Sequence, residues 1–216
     1  MAISIMLSKL SEGMVMSLLI FIVTLVFSLP LGLIISFGRM SKNGLIRSIV
    51  KIYISIMRGT PLMLQLMVLC FGPYYIFGIR NTPNWQMTAV LIGFVINYAA
   101  YFAEIYRGGI ESMPQGQYEA AKILGYNKVQ TFIRIILPQV IKRILPSITN
   151  ETITLVKDTS LAFTLGIMEM FTVAKALAAS QTTMIPYVFA AIFYYIFNFL
   201  VAYGMEMCEK KMNYYR

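Results

Sequence analysis

Residues 119–138 read EAAKILGYNKVQTFIRIILP, a polar, amphipathic island in a chain that is otherwise mostly apolar. Read as helix, Ala120, Ala121, Leu124 and Val129 fall largely on one side, with Glu119, Lys122 and Lys128 elsewhere. Gly125 is expected to end or kink the first helix, because glycine enters the left-handed conformation that closes a helical turn. A second stretch, Val129 to Leu137, leads back toward apolar sequence and is expected to stop at Pro138. A short structured helix held in water beside a greasy bundle suits a groove in another protein.

Outward from the island, the chain has 216 residues, 58% of them hydrophobic, and a mean hydropathy of +0.71. A soluble domain is roughly 45–50% apolar. Several apolar runs approach or exceed the roughly 20 residues that cross a bilayer as helix. The fold class read from this is all-α and polytopic, one transmembrane domain over 1–216, with a loop at about 115–137. The net charge of +9 does not indicate nucleic acid, because most Lys and Arg lie in short loops between apolar runs. There is no histidine, so the commonest general base and metal ligand is missing. Cys70 and Cys208 form no CxxC unit and read as small apolar fillers. No GxxxxGK[ST] loop occurs, so the chain carries no phosphate cradle for ATP. The N-terminus lacks a basic region followed by a small-residue cleavage site, and no cleaved leader is expected.

Five spans are expected. Residues 1–12 read as a short amphipathic start. Span 1 covers about 14–37, interrupted and bent by Pro30 and Gly32. Span 2 covers about 49–77 and is broken at Arg58-Gly59-Thr60-Pro61. Span 3 covers about 87–106 and extends toward Met113. The fourth, within 144–180, is interrupted at Lys157-Asp158-Thr159-Ser160. Span 5 covers about 185–207. Trp85, in the turn before span 3, suits an interfacial anchor.

Charge then orients the chain. Arg39, Lys42, Arg47 and Lys51 follow span 1. Arg107, Lys122, Lys128, Arg134, Lys142 and Arg143 surround the island, and Lys210, Lys211 and Arg216 lie in the tail. With five crossings these thirteen cations share one side, against Lys9, Arg80 and Lys175 on the other. The positive side is cytoplasmic, which predicts an outside N-terminus and a cytoplasmic island and C-terminus.

The island also carries a motif. Glu119-Ala120-Ala121, Gly125, Ile135 and Leu137-Pro138 stand at the spacing of the EAA motif of ABC importer permeases, with all seven positions matched. Arg58-Gly59-Thr60-Pro61-Leu62 and Val156-Lys157-Asp158-Thr159-Ser160-Leu161 resemble the polar amino-acid branch of that family, the histidine, arginine and glutamine permeases. The resemblance covers the chain end to end. It implies a type I permease of a bacterial or archaeal cell membrane that pairs with a second permease subunit, expected to be identical. Two copies of a separate ATPase, which binds the ATP and magnesium, would dock on Glu119, Ala120, Ala121 and Gly125. An extracellular binding protein would deliver substrate, and this chain would be no enzyme.

Ionisable and polar residues within spans are costly, so they are the candidates for a substrate site. Glu104 shares one face of span 3 with Asn97 and Tyr101, although Arg107 at i+3 is a ready partner. Asp158 sits at the break in the fourth span. About fifteen residues beyond Arg143, a helix has risen about 22 Å, past the bilayer midplane, where transporters build sites from broken helices. A helix over 161–178, with Ser160 near its cap and Thr159 beside it, would offer free amides to a carboxylate. Arg58 suits a bidentate carboxylate contact or a lipid phosphate, and Gln65 is a weaker candidate. Two buried acids, Glu104 and Asp158, exceed what one ammonium requires. If both face one cavity, a cationic side chain such as arginine, lysine or histidine is favoured. An ion-coupled secondary amino-acid transporter is the alternative, with Glu104 or Asp158 as proton site, and it leaves the island unexplained. A membrane-embedded enzyme lacks a nucleophile–base pair or metal cluster.

Overall fold

The computed structural model describes residues 3–212; Arg216, one of the tail cations, lies outside them. The described residues form nine α-helices: α1 (Ile3–Arg39), α2 (Gly44–Gly59), α3 (Leu62–Phe77), α4 (Pro83–Glu111), α5 (Gln115–Ile123), α6 (Lys128–Thr131), α7 (Leu137–Asp158), α8 (Met170–Gln181) and α9 (Ile185–Lys211). A π-helical turn, Phe132–Ile136, joins α6 to α7, and a 3-10 helix, Thr159–Leu165, follows α7. By length and composition α1, α4 and α9 can each cross a membrane. The count rises to five if the bent pairs, α2 with α3 and Lys128–Leu165 with α8, are one span each.

The centre of the bundle is α1 against α4. The buried side of α1 carries Gly13, Ser17, Thr24, Ser28, Gly32 and Ser36, small residues at helical spacing that let two backbones approach. A Cβ on Gly32 would stand 2.8 Å from Phe102 Cβ and 3.0 Å from the carbonyl oxygen of Ala99. The expected interruption at Pro30 and Gly32, and the separate start at 1–12, are both corrected. From Ile3 to Arg39 the helix is continuous through Pro30. Transmembrane helices tolerate the lost amide, and Gly32 serves close packing.

The second span is broken where expected, and sharply. Thr60 is extended (φ −125), as the residue before a proline prefers, and α2 and α3 meet at 109°. At its other end α3 closes on Gly78, in the left-handed region at φ 68. Trp85 Nε1 then donates to the carbonyl oxygen of Cys70 (3.0 Å), tying the start of α4 to α3.

Two expectations about the second half are also corrected. Pro138 does not stop a helix. The π turn shifts the bonding register, so that the Leu137 amide reaches Phe132 O five residues back, and the chain runs on into α7 without the amide that Pro138 lacks. The fourth span changes character at 157–160 but does not bend there. The α-helix ends at Asp158, the chain coils on as 3-10 helix to Leu165, and the bend comes at Gly166 (φ 73), with α8 set at 58° beyond. Lys-Asp-Thr-Ser contains no residue that forbids helix, whereas Gly166 supplies a left-handed conformation.

Candidate functional site

Two clusters of functional residues emerge, one inside the bundle and one on the island. Inside, the α2–α3 break is held by side chains. The break frees carbonyls at Met57 and Thr60 that must be satisfied in an apolar surround. Gln65 Nε2 donates to Thr60 Oγ1 (2.8 Å), Met57 O (3.0 Å) and Thr60 O (3.1 Å). Asn97 Nδ2 donates to Met57 O (3.0 Å) and Gln65 Oε1 (2.9 Å). Asn97 and Gln65 therefore meet each other, and much of their donor capacity is spent on backbone.

One turn along, Arg58 lies over the Tyr101 ring, 5.2 Å from its centroid, a cation–π contact. Its Nη1 stands 4.0 Å from Glu104 Oε2. Arg107 Nη2 is 2.6 Å from the same oxygen, and Arg39 Nε is 3.6 Å from Oε1. Glu104 is thus the anionic hub that joins the ends of α1, α2 and α4. The local pairing with Arg107 is present, and two further guanidinium groups join it. With three guanidinium groups around it, Glu104 is already paired and is not a surplus acid in this structure.

Asp158 faces another way. Its Oδ2 accepts from the Tyr98 hydroxyl at 2.7 Å, and the Tyr98 ring lies 6.1 Å from that of Tyr101, which links the two groups across α4. Two turns before Asp158 on the same face of α7 stands Glu151, with Arg58 and Asp158 as its charged neighbours. The sequence reading missed Glu151, although its seven-residue spacing from Asp158 was available. Thr159 and Ser160 are occupied locally, since their hydroxyls donate to Val156 O and Lys157 O, each at 2.8 Å.

The expected free amides at 161 are also corrected. Helix α8 begins at Met170, and its first turn is capped from within by Glu169. The Glu169 carboxylate accepts from the amides of Phe171 and Thr172 and the Thr172 hydroxyl, each at 2.7 Å, and from the Tyr194 hydroxyl at 3.2 Å. A substrate carboxylate would find those amides taken. Glutamate is not among the usual N-cap residues, so the sequence carries no local signal for this cap.

On the island, α5 ends in the left-handed Gly125 (φ 79), with the Tyr126 amide bonded to Ala121 O at 3.0 Å, a Schellman closure. Asn127 and Gln130 then form a capping box that starts α6. Ala121 turns inward and is buried, while Glu119 and Ala120 are exposed. Beyond them Ile123 is 86% exposed and Leu124 72%. A cavity of about 910 Å³ opens between the start of α5 and the first turns of α7, lined by Pro114, Gln117, Arg134 and Gln139 among others, and by neither Glu104 nor Asp158.

A polytopic helical bundle with a half-buried charge network, broken spans and an exposed apolar turn is the kind of framework a membrane transport component uses. The chain matches, over residues 28–214, the family of binding-protein-dependent transport system inner membrane components, and it belongs to that family. Among its relatives, the L-cystine transport system permease protein TcyB of Bacillus subtilis (strain 168) is 34% identical over 95% of this chain and 87% of its own. The octopine transport system permease protein OccM of Rhizobium radiobacter is 38% identical over 85% and 79%. A crystal structure of an amino acid ABC transporter with histidines superposes with a TM-score of 0.85 at 30% identity, covering 94% of both chains. The methionine ABC transporter MetNI, in an inward-facing conformation, shares the fold, with a TM-score of 0.70 at 17% identity. This chain is accordingly a multi-pass inner-membrane permease component, a transport subunit and not an enzyme.

Proposed function

We propose that this chain is the single-domain membrane permease of an ATP-driven importer of polar amino acids, working by alternating access. The observation that carries the reading is the island. Its EAA motif lies on a capped turn whose apolar tip, Ile123 and Leu124, is left open to solvent. In this reading Glu119, Ala120, Ala121 and Gly125 seat in each of two ATPase subunits. Those subunits bind ATP and magnesium, and their closure pulls the islands of two permease subunits, expected to be identical, together. The bent spans are the bistable elements that follow. Five crossings with the island and C-terminus cytoplasmic agree with the distribution of cations. An extracellular binding protein supplies substrate, and bilayer lipid surrounds the apolar surface.

The substrate site is assigned to the surface between α4, α7 and the α2–α3 break, with Asp158, Tyr101, Arg58, Asn97, Gln65, Thr159 and Ser160 from the sequence reading and Glu151 added. Glu104 is kept as the group that holds Arg58, Arg39 and Arg107 in position. The cationic preference now rests on Glu151 and Asp158, two half-buried acids on one helix face, with Arg58 available to a substrate carboxylate. Relatives named for L-cystine and octopine, and a similar structure with histidines, support an amino acid or a derivative of one.

Vesicles carrying the chain with its ATPase and binding protein test this. Uptake of labelled arginine should require internal ATP and survive a protonophore. Glu151→Gln should lower arginine uptake at least tenfold more than glutamine uptake. Uptake without ATP that a protonophore abolishes would replace the importer by the ion-coupled transporter. An equal fall for both substrates would remove the cationic preference alone.

A further inference from the structure

Helix α2 carries three distinct faces. Val50, Tyr53, Ile54 and Met57 pack against Ile35, Ala100 and Ala103. Leu45, Ile49, Ile52 and Ile56, spaced by four, three and four residues, form a second row, exposed by 51–70%. Arg47, Lys51 and Arg58, spaced by four and seven, form a third. Arg58 is engaged by Tyr101 and Glu104. Arg47 and Lys51, with Lys42 just before the helix, are exposed and make no ion pair among the described residues. No acid occurs anywhere between Glu12 and Glu104.

We propose that α2 and the turn before it form a recognition surface for anionic phospholipid, independent of the substrate carried. The isoleucine row lies in the acyl region, while Lys42, Arg47 and Lys51 gather phosphate headgroups at the membrane surface. Two observations select lipid over a protein partner. The apolar row and the cations share one helix at fixed angular separation, as in helices that sit at a membrane boundary. The cations also stand beside the end of α1, a helix long and apolar enough to span. Clustered cations next to a span attract anionic headgroups. The basic island has no such row of exposed isoleucines on a full helix beside it.

Nitroxide labels on the full chain, in a Cys208→Ser background, read this directly, with that background alone as the labelling control for buried Cys70. Labels at Ile49→Cys, Ile52→Cys and Gly44→Cys, the last on the cation row where an added side chain meets nothing within 4 Å, are compared in vesicles of phosphatidylcholine and in vesicles with three-tenths phosphatidylglycerol. The expected result is that labels at 49 and 52 meet oxygen in preference to a water-soluble nickel chelate, while the label at 44 does the reverse. The oxygen-to-nickel ratio at 52 should rise about threefold with phosphatidylglycerol, and Arg47→Gln with Lys51→Gln should abolish the rise. Shielding of position 52 from both reagents would give the surface to a protein partner and overturn the proposal. Preference for nickel there would give it to water, with the same consequence. An oxygen preference that ignores phosphatidylglycerol would overturn headgroup recognition.

Discussion

A fully buried carboxylate, Glu169, carries much of the order in the second half of the bundle. Its two oxygens receive four donors from α8 and α9, and the adjacent Met170 amide donates to Ser17 of α1 at 3.3 Å. The start of α8 is thus tied to α9 by the acid and to α1 by the neighbouring amide. Glu169→Ala removes a helix cap worth about 1 kcal/mol and leaves buried donors unsatisfied at about 1–3 kcal/mol each. The unfolding midpoint in detergent should fall by several degrees. Glu169→Gln, which keeps an acceptor oxygen, should fall less. Equal stability of Glu169→Ala and wild type would mean that the cap adds nothing. The glutamates read from the sequence were those inside apparent spans, Glu104 above all. Glu169 was missed because a cap is visible only once the helix start is known, and that start had been put nine residues early.

At the scale of elements, close helix approach depends on single glycines. A Cβ on Gly109 of α4 would stand 2.2 Å from Cγ2 of Ile144 on α7, and a branched side chain has little room to rotate away. Gly109→Ala should destabilise the bundle by about 1–3 kcal/mol through overpacking. Ile144→Ala should be less harmful in that background than alone, a coupling that a double-mutant cycle measures. Additive effects would show that the two helices do not meet there. Element boundaries were legible wherever a residue forces them. Pro61 fixed the second break, and Gly125 fixed the end of α5. Boundaries were misread where the signal was polarity alone. The phrase Lys157-Asp158-Thr159-Ser160 looks like a full break in an apolar run, and α-helix does give way to 3-10 helix at Thr159, yet each residue permits helix and the bend waits for Gly166. Pro30 and Pro138 misled in the opposite sense, because a continuous helix and a π turn absorb the amide each lacks.

At the scale of the molecule, the all-helical membrane fold was legible from hydropathy, and the island from its contrast with its surroundings. The network joining Arg39, Arg58, Glu104 and Arg107 was only half legible. Sequence spacing offers the i+3 pair, whereas the other two guanidinium groups come from helices whose packing no local pattern reveals. This network and the α2–α3 break are adjacent to the α4 face that holds Tyr98, whose hydroxyl donates to Asp158 at the end of α7, so in the proposed cycle a pull on one part of the bundle reaches the candidate site through packed side chains. The account stands on the island as the point where that pull enters. The most direct measurement is retention of the ATPase subunit by the purified chain, with transport-linked ATP turnover read in the same vesicles. Leu124→Asp and Gly125→Asp should retain the helical content of the wild type, lose most of the bound ATPase and lower substrate-stimulated turnover at least tenfold. Both variants holding the ATPase and responding to substrate as the wild type does would contradict the account.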